Sequence, residues 1–171
     1  MATVFNVSDY FLAELTPEND ITNLKLQKLC AYAQAMSLAL LGESLFVEDL
    51  EAWTHGPVIP SLYRRYEQFG RRPLPSSGLS EAYARKFFED KQKFVLELAK
   101  SYYGQFSAWE LRQRSHRDFP GNFGSKEVIS KEAIKKAFAS DPLIVKLREG
   151  REQPSDRTIV SEQEFLDALA I

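Results

Sequence analysis

The sequence predicts a mainly α fold, a single compact multi-helix domain over residues 1–171 with at most a small β element, and three observations carry that expectation. Apolar residues recur at helical spacing along Leu26, Leu29, Cys30, Ala33, Met36 and Leu40. Helix-opening patterns recur too, as in Ser107-x-x-Glu110 and Ser161-x-x-Glu164, where a serine oxygen and a glutamate three residues on can satisfy each other's orphan amides. Strand-like alternation, by contrast, is confined to one short run, Phe46 to Trp53. With 44% hydrophobic and 27% charged residues, the 171-residue chain has the mixture of a protein that buries one core.

A first helix is expected from Val7 to Leu15, capped by Asn6, with Thr16-Pro17-Glu18-Asn19 ending it. Thr22 can cap a second helix that Gly42 stops. Leu24, Tyr32, Ala35 and Ala39 widen its apolar stripe beyond one face, so this helix should be central and surrounded by the others. Phe46 to Trp53, interrupted by Glu48, Asp49 and Glu51, reads as an edge strand with a solvated acidic face. Trp53 to Pro60 cannot continue a helix, because Pro57 and Pro60 lack backbone donors; it is a shaped loop, and Pro60 suits the first turn of a third helix through Leu62, Tyr63, Tyr66 and Phe69 to Gly70.

Arg71 to Gly78 is a Pro/Ser/Gly connection. Ser80 can open one long helix to Gly104 carrying Ala84, Phe87, Phe88, Val95, Leu98 and Tyr102 inward. After the helix from Ser107 to Arg117 comes the loop Phe119 to Gly124, then a helix from Ser130 with Ile134 and Phe138, and another restarted by Asp141-Pro142. Past the polar stretch Arg151 to Thr158, the second box precedes Phe165, Leu166 and Leu169.

Several functions are unsupported. No apolar run approaches the roughly 18 to 20 residues that cross a bilayer, and Met1 to Tyr10 lacks a secretory pattern. The single cysteine, Cys30, permits no internal disulfide and lies on the apolar stripe, so a packed thiol in a reducing cytoplasm is expected. His55, His116 and Cys30 have no paired metal-ligand spacing, no Gly-x-Ser-x-Gly elbow accompanies a serine, and no glycine-rich phosphate loop occurs. No catalytic residue, metal site or cofactor is therefore expected.

A net charge of −2 denies the molecule an overall positive field. Charge is nevertheless uneven. No Lys or Arg falls between Lys28 and Arg64, while Arg64, Arg65, Arg71 and Arg72 face only Glu67 in the next segment, and Arg112, Arg114 and Arg117 surround His116. The Trp53–Pro60 loop permits two readings from composition, a rigid recognition surface or a core plug that shapes a helix entry.

Thr22-Asn23-Leu24-Lys25-Leu26-Gln27-Lys28-Leu29 with Tyr32-Ala33-Gln34, then Glu51-Ala52-Trp53-x-His55-Gly56-Pro57-Val58-Ile59-Pro60, resembles the Panacea antitoxin domain, the SocA-like group that includes phage-associated GepA proteins. Tyr103-Gly104 and Ser107-Ala108-Trp109-Glu110-Leu111, ending at Ser115-His116, is similar to its later motif, and the resemblance is strongest over 22–116. After His116 the chain has Arg117-Asp118-Phe119-Pro120-Gly121 where a Pro-Trp pair is usual. The resemblance implies a helical fold, a bacterial or prophage setting, no cofactor, no enzymatic activity, and neutralisation by direct contact of a toxin encoded by an adjacent gene. The partner-binding candidates are Trp53, His55, Pro57, Tyr63 and Arg64, then Trp109 and Arg112: Trp53 and Tyr63 as apolar anchors, Pro57 as a shape determinant, Arg64 as a charged contact. The alternative is an adaptor or regulator contacting nucleic acid through Arg64, Arg65, Arg71 and Arg72.

Overall fold

A computed structural model describes residues 1–15 and 20–152 of the chain. The Thr16–Asn19 helix stop and the Ser161/Glu164 box with Phe165, Leu166 and Leu169 lie outside the described residues. The rest is mainly α, with eight α-helices among the described residues and one three-stranded sheet.

Helix α2 (Asn23–Leu40) is the axis. Thr22 Oγ1 accepts the Lys25 N–H at 3.2 Å, and every side chain from Lys25 to Ala39 is buried. A helix apolar on all sides must be covered on all sides. Helices α5 (Asp90–Tyr103), α6 (Ala108–Asp118) and α7 (Lys131–Phe138) supply most of that cover. Helices α1 (Val4–Glu14), α3 (Pro60–Tyr66) and α8 (Pro142–Glu152) and the sheet complete it.

The thiol of Cys30 is fully buried, and burial pushes it well above the usual thiol range. Cys30→Ser should fold with a modest loss of stability and bind its partner like wild type; loss of partner binding in a folded serine variant would give the thiol a role beyond packing.

Several expectations need correction. Helix α1 begins at Val4, because Thr3 is the cap and Asn6 sits three residues on, its Oδ1 accepting the Thr3 N–H at 3.0 Å. Glu48, expected on a solvated face, accepts the Val4 N–H at 2.8 Å and complements the positive end of α1. The strand β1 (Leu50–Trp53) starts later than expected and is central, since β2 (Gly56–Val58) and β3 (Val128–Ile129) flank it in an antiparallel sheet ordered β2-β1-β3. Trp53 pairs with Gly56 and Leu50 with Ile129. Phe46 cannot extend β1 because Gln34 occupies its backbone, donating to the Phe46 carbonyl at 3.0 Å while accepting from Leu45 N at 2.7 Å.

The helix expected from Ser80 to Gly104 is broken into α4 (Glu81–Arg85) and α5. Glu89 restarts the second piece, its N–H donating to Gln92 Oε1 at 3.0 Å, and Phe87 is left 43% exposed instead of entering the core. The break lets α4 lie on α1 and swings Arg85 over the nearly buried Glu14 carboxylate, at 2.6 Å. Lys100 reaches Glu14 and Glu97 at 3.0 and 2.9 Å, closing an ion-pair network with Arg85. Burial opposes their ionisation, yet these cations, and for Glu97 first the Tyr10 hydroxyl, hold both carboxyl groups below the usual range.

The Ser107 box stands as expected, with the Ser107 N–H donating to Glu110 Oε2 at 2.7 Å, and Ser130 and Asp141 open α7 and α8 through their side-chain oxygens. Where the usual Pro-Trp is missing, Phe119 packs 5.1 Å from Tyr32 and 4.8 Å from Phe138. Tyr32 also stacks on Tyr103 at 3.9 Å and donates to Asp118 at 2.7 Å, so the substituted segment still closes the core.

Candidate functional site

Lys25, Gln27 and Lys28, near the start of α2, reach backbone atoms of neighbouring segments. The N–H of Ile59 donates to Gln27 Oε1 at 2.8 Å, Lys25 Nζ donates to the Gly104 carbonyl at 2.8 Å, and Lys28 Nζ donates to the Pro57 carbonyl at 2.9 Å. All three side chains are buried. Burial, with a smaller contribution from Arg112, lowers Lys28 to about 7. The Leu-Lys-Leu-Gln-Lys-Leu motif therefore fixes the β1–β2 hairpin and the α5–α6 turn onto the central helix.

Gly56 is the point of closest approach. Its φ is +100°, and a Cβ there would lie 2.6 Å from Ser115 Oγ and 3.2 Å from Lys28 Nζ. Only glycine combines that dihedral with that proximity. The buried Ser115 hydroxyl donates to the Arg112 carbonyl at 2.8 Å, and the hairpin is thereby pressed against α6.

Arg112 is the bridge between the two. Its Nε donates to His55 Nδ1 at 3.0 Å, and its guanidinium carbon lies 4.8 Å from the centre of the Trp109 ring. Burial first, and then the neighbouring Arg112, Lys28, His116 and Arg71, lower His55, which favours the neutral ring that accepts that bond. His116 makes a second stitch, with Nδ1 2.8 Å from the Arg112 carbonyl and Nε2 3.0 Å from the Thr54 carbonyl. An imidazolium donates at both positions, a neutral ring at one.

The expected site residues thus fall into three groups. His55, Arg112 and Trp109, from segments far apart in sequence, form one exposed surface, with Trp109 59% exposed. Trp53 and Tyr63 are half-buried and pack on each other at 5.1 Å, while Trp53 Nε1 donates to Glu51 at 2.8 Å and Lys126 Nζ sits 4.9 Å from the Trp53 ring. Pro57 is buried, and Arg64 is exposed on α3. Of the other arginines of that segment, Arg65 lies 4.9 Å from the centre of the Phe5 ring, and Arg72 donates to the Gln68 and Phe69 carbonyls at 2.9 and 3.2 Å.

Lys28, Ser115 and His116 complete the arrangement, and sequence reasoning did not single them out as site residues. The available signal was a pair of lysines and a glutamine inside a helix predicted to be covered on every side, since buried polar groups must find partners.

Beside this surface, Trp109, Glu110, Gln113, Arg114, His116 and Arg117 line a shallow depression of about 460 Å³. The geometry describes a mainly α protein that presents a hairpin tip locked against a helix face. The description "Antitoxin SocA-like, Panacea domain" matches residues 26–120, more than half of the chain, and the protein belongs to that family. Neither the curated proteins nor the solved structures gave a match. Among the described residues no helix is long and apolar enough to cross a membrane.

Proposed function

We propose that this chain is a cytoplasmic antitoxin that neutralises a cognate protein toxin, encoded beside it, by direct contact and without chemistry of its own. The observation that carries the reading is the meeting of His55 and Arg112 beside the exposed Trp109, in a member of the SocA-like antitoxin family. Tryptophan and arginine on a rigid support are the residue types that dominate protein–protein hot spots. The support is rigid because the Lys28 and His116 hydrogen bonds hold the hairpin to α2 and α6. An interface of standard size, roughly 1,600 Å², centred there would cover the toxin's active or target-binding surface. Trp53, Pro57 and Tyr63 shape the hairpin side of that contact, and Arg64 adds a charge at its border.

The test measures stability and neutralisation on the same variants. His55→Ala and Arg64→Ala alter exposed side chains and should leave thermal melting nearly unchanged, within about 0.5 kcal/mol. Affinity for the product of the adjacent reading frame should fall by about thirtyfold, the equivalent of about 2 kcal/mol, and growth rescue on co-expression should fail. Wild-type affinity and rescue in both variants would remove the hairpin and α3 from the interface.

A further inference from the structure

We propose that the α6 side of this surface receives an acidic segment of the partner protein, whose carboxylates pair with Arg112, Arg114 and Arg117 around Trp109; this rests on the antitoxin reading above. The ion pairs of the described residues all lie elsewhere, among Glu14, Glu43, Glu89, Asp90 and Glu97 with Arg85, Lys91, Lys93 and Lys100. Arg112, Arg114 and Arg117 have no carboxylate partner among the described residues, although His55, His116 and Arg71 add positive or protonatable groups around the hairpin tip. Among the described residues the carboxylate lining the depression is Glu110, whose hydrogen bonds with Ser107, with a smaller contribution from Arg114, hold its carboxyl below the usual range; it accepts from the Ser107 N–H and forms no ion pair with Arg114.

Two of the three guanidinium groups also rest over aromatic rings. Arg112 lies 4.8 Å from the centre of the Trp109 ring and Arg114 lies 4.0 Å from the centre of the Phe106 ring. Stacking fixes the plane of a guanidinium while leaving its N–H edges for a carboxylate, which they can meet bidentately. Among the described residues Arg112 donates from Nε alone, to His55, leaving both Nη groups for a ligand. An unpaired charge cluster of this kind gains complementarity from an oppositely charged partner surface.

A protein carboxylate fits better than a nucleic-acid backbone. A phosphate backbone needs a positive track, whereas the sheet beside the hairpin carries Glu51 on β1, with Glu127 just before β3, and the whole chain has a net charge of −2. Trp109, 59% exposed between these arginines, supplies apolar area for the flanking side chains of a peptide segment.

The experiment titrates the full chain with the purified product of the adjacent reading frame at about 50 and 300 mM salt, and in parallel with a single-stranded and a duplex oligonucleotide. The variants are Arg117→Glu, which disturbs no hydrogen bond of the described residues, and the double variant Arg114→Glu/Arg117→Glu, both checked for unchanged melting. The expected result is at least a tenfold weaker complex for the single variant and a greater loss for the double, a smaller penalty at high salt, and recovery when Asp or Glu residues of the partner's contacting segment are replaced by Arg. Variants of unchanged melting that bind the partner like wild type overturn the inference while leaving the antitoxin reading in place. A wild-type chain that does not bind the partner overturns both. Oligonucleotide binding lost in the same variants, with partner binding retained, assigns the surface to nucleic acid and also overturns it.

Discussion

Leu29→Asp is expected to abolish cooperative folding. Leu29 is fully buried near the middle of α2, the helix against which α5, α6 and α7 all pack. Truncating a buried leucine costs about 2–5 kcal/mol before any charge is considered. A carboxylate there would sit in the apolar core, and the nearby α2 lysines, Lys25 and Lys28, already donate to the Gly104 and Pro57 carbonyls, so it must be protonated, draw water inward or pull a lysine from its partner, at a further cost of several kcal/mol. The sum falls within the roughly 5–15 kcal/mol that a domain has in total. Circular dichroism should show no sigmoidal thermal transition, and the protein should be recovered largely in the insoluble fraction. Leu29→Met, which conserves volume, should cost less than about 1.5 kcal/mol and serves as the control. A soluble aspartate variant that melts like wild type would mean that α2 is not the centre of the core.

The second large effect is a pH dependence of stability that belongs to Lys28. Burial lowers the folded-state value of this amine to about 7, against an ordinary value of 10.5 in the unfolded chain. Between those two values the unfolded state binds more protons than the folded state, so stability rises with pH through that window and is lost again as pH falls through about 7. The slope from one such group is at most about 1.4 kcal/mol per pH unit. Lys28→Met keeps the apolar stem, removes the amine and leaves the Pro57 carbonyl without its donor, a cost of about 1–3 kcal/mol. The variant should therefore be as stable as wild type or more so at pH 6, and less stable at pH 9. Cys30 contributes with the opposite sign, because burial keeps its thiol protonated in the folded protein while the thiol of the unfolded chain ionises as pH approaches 9, and this contribution is common to both proteins. The quantity to measure is consequently the difference between the two denaturation free energies at several pH values. A difference that stays flat from pH 6 to 9 would show that Lys28 is protonated throughout in the folded protein.

These two neighbours, Leu29 and Lys28, also mark how far the sequence could be read. The apolar periodicity of α2 was legible, and so was its central position, because a stripe too wide for one contact must be covered all round. The caps at Thr22, Ser107, Ser130 and Asp141 were legible for a different reason: each is a local hydrogen bond between residues two or three apart. Such interactions require no knowledge of the rest of the chain. Motif resemblance added the family over the stretch from Thr22 to His116, and the residues carrying it prove to be mostly the hydrogen-bonded frame of the hairpin.

Other features were decided only by tertiary contact. Glu89 restarts a helix where periodicity suggested continuity, since α4 is held to α1 by the Arg85–Glu14 pair. Glu48 caps a helix more than forty residues away, and β1 becomes a central strand because Val128 and Ile129 arrive beside it from beyond α6. The surface uniting His55 with Trp109 and Arg112 arises in the same way. Composition marks each of these residues as a candidate, but their separation in sequence carries no information about their distance in space. Their meeting requires Gly56 to approach Ser115 without a Cβ and Lys28 to hold the Pro57 carbonyl from the far side. Local patterning determined which helices form and which helix is buried, because backbone hydrogen bonds and apolar periodicity are short-range properties. Which exposed side chains share a surface was left to the packing of α2 against the hairpin and α6, because that proximity exists only once the core has closed.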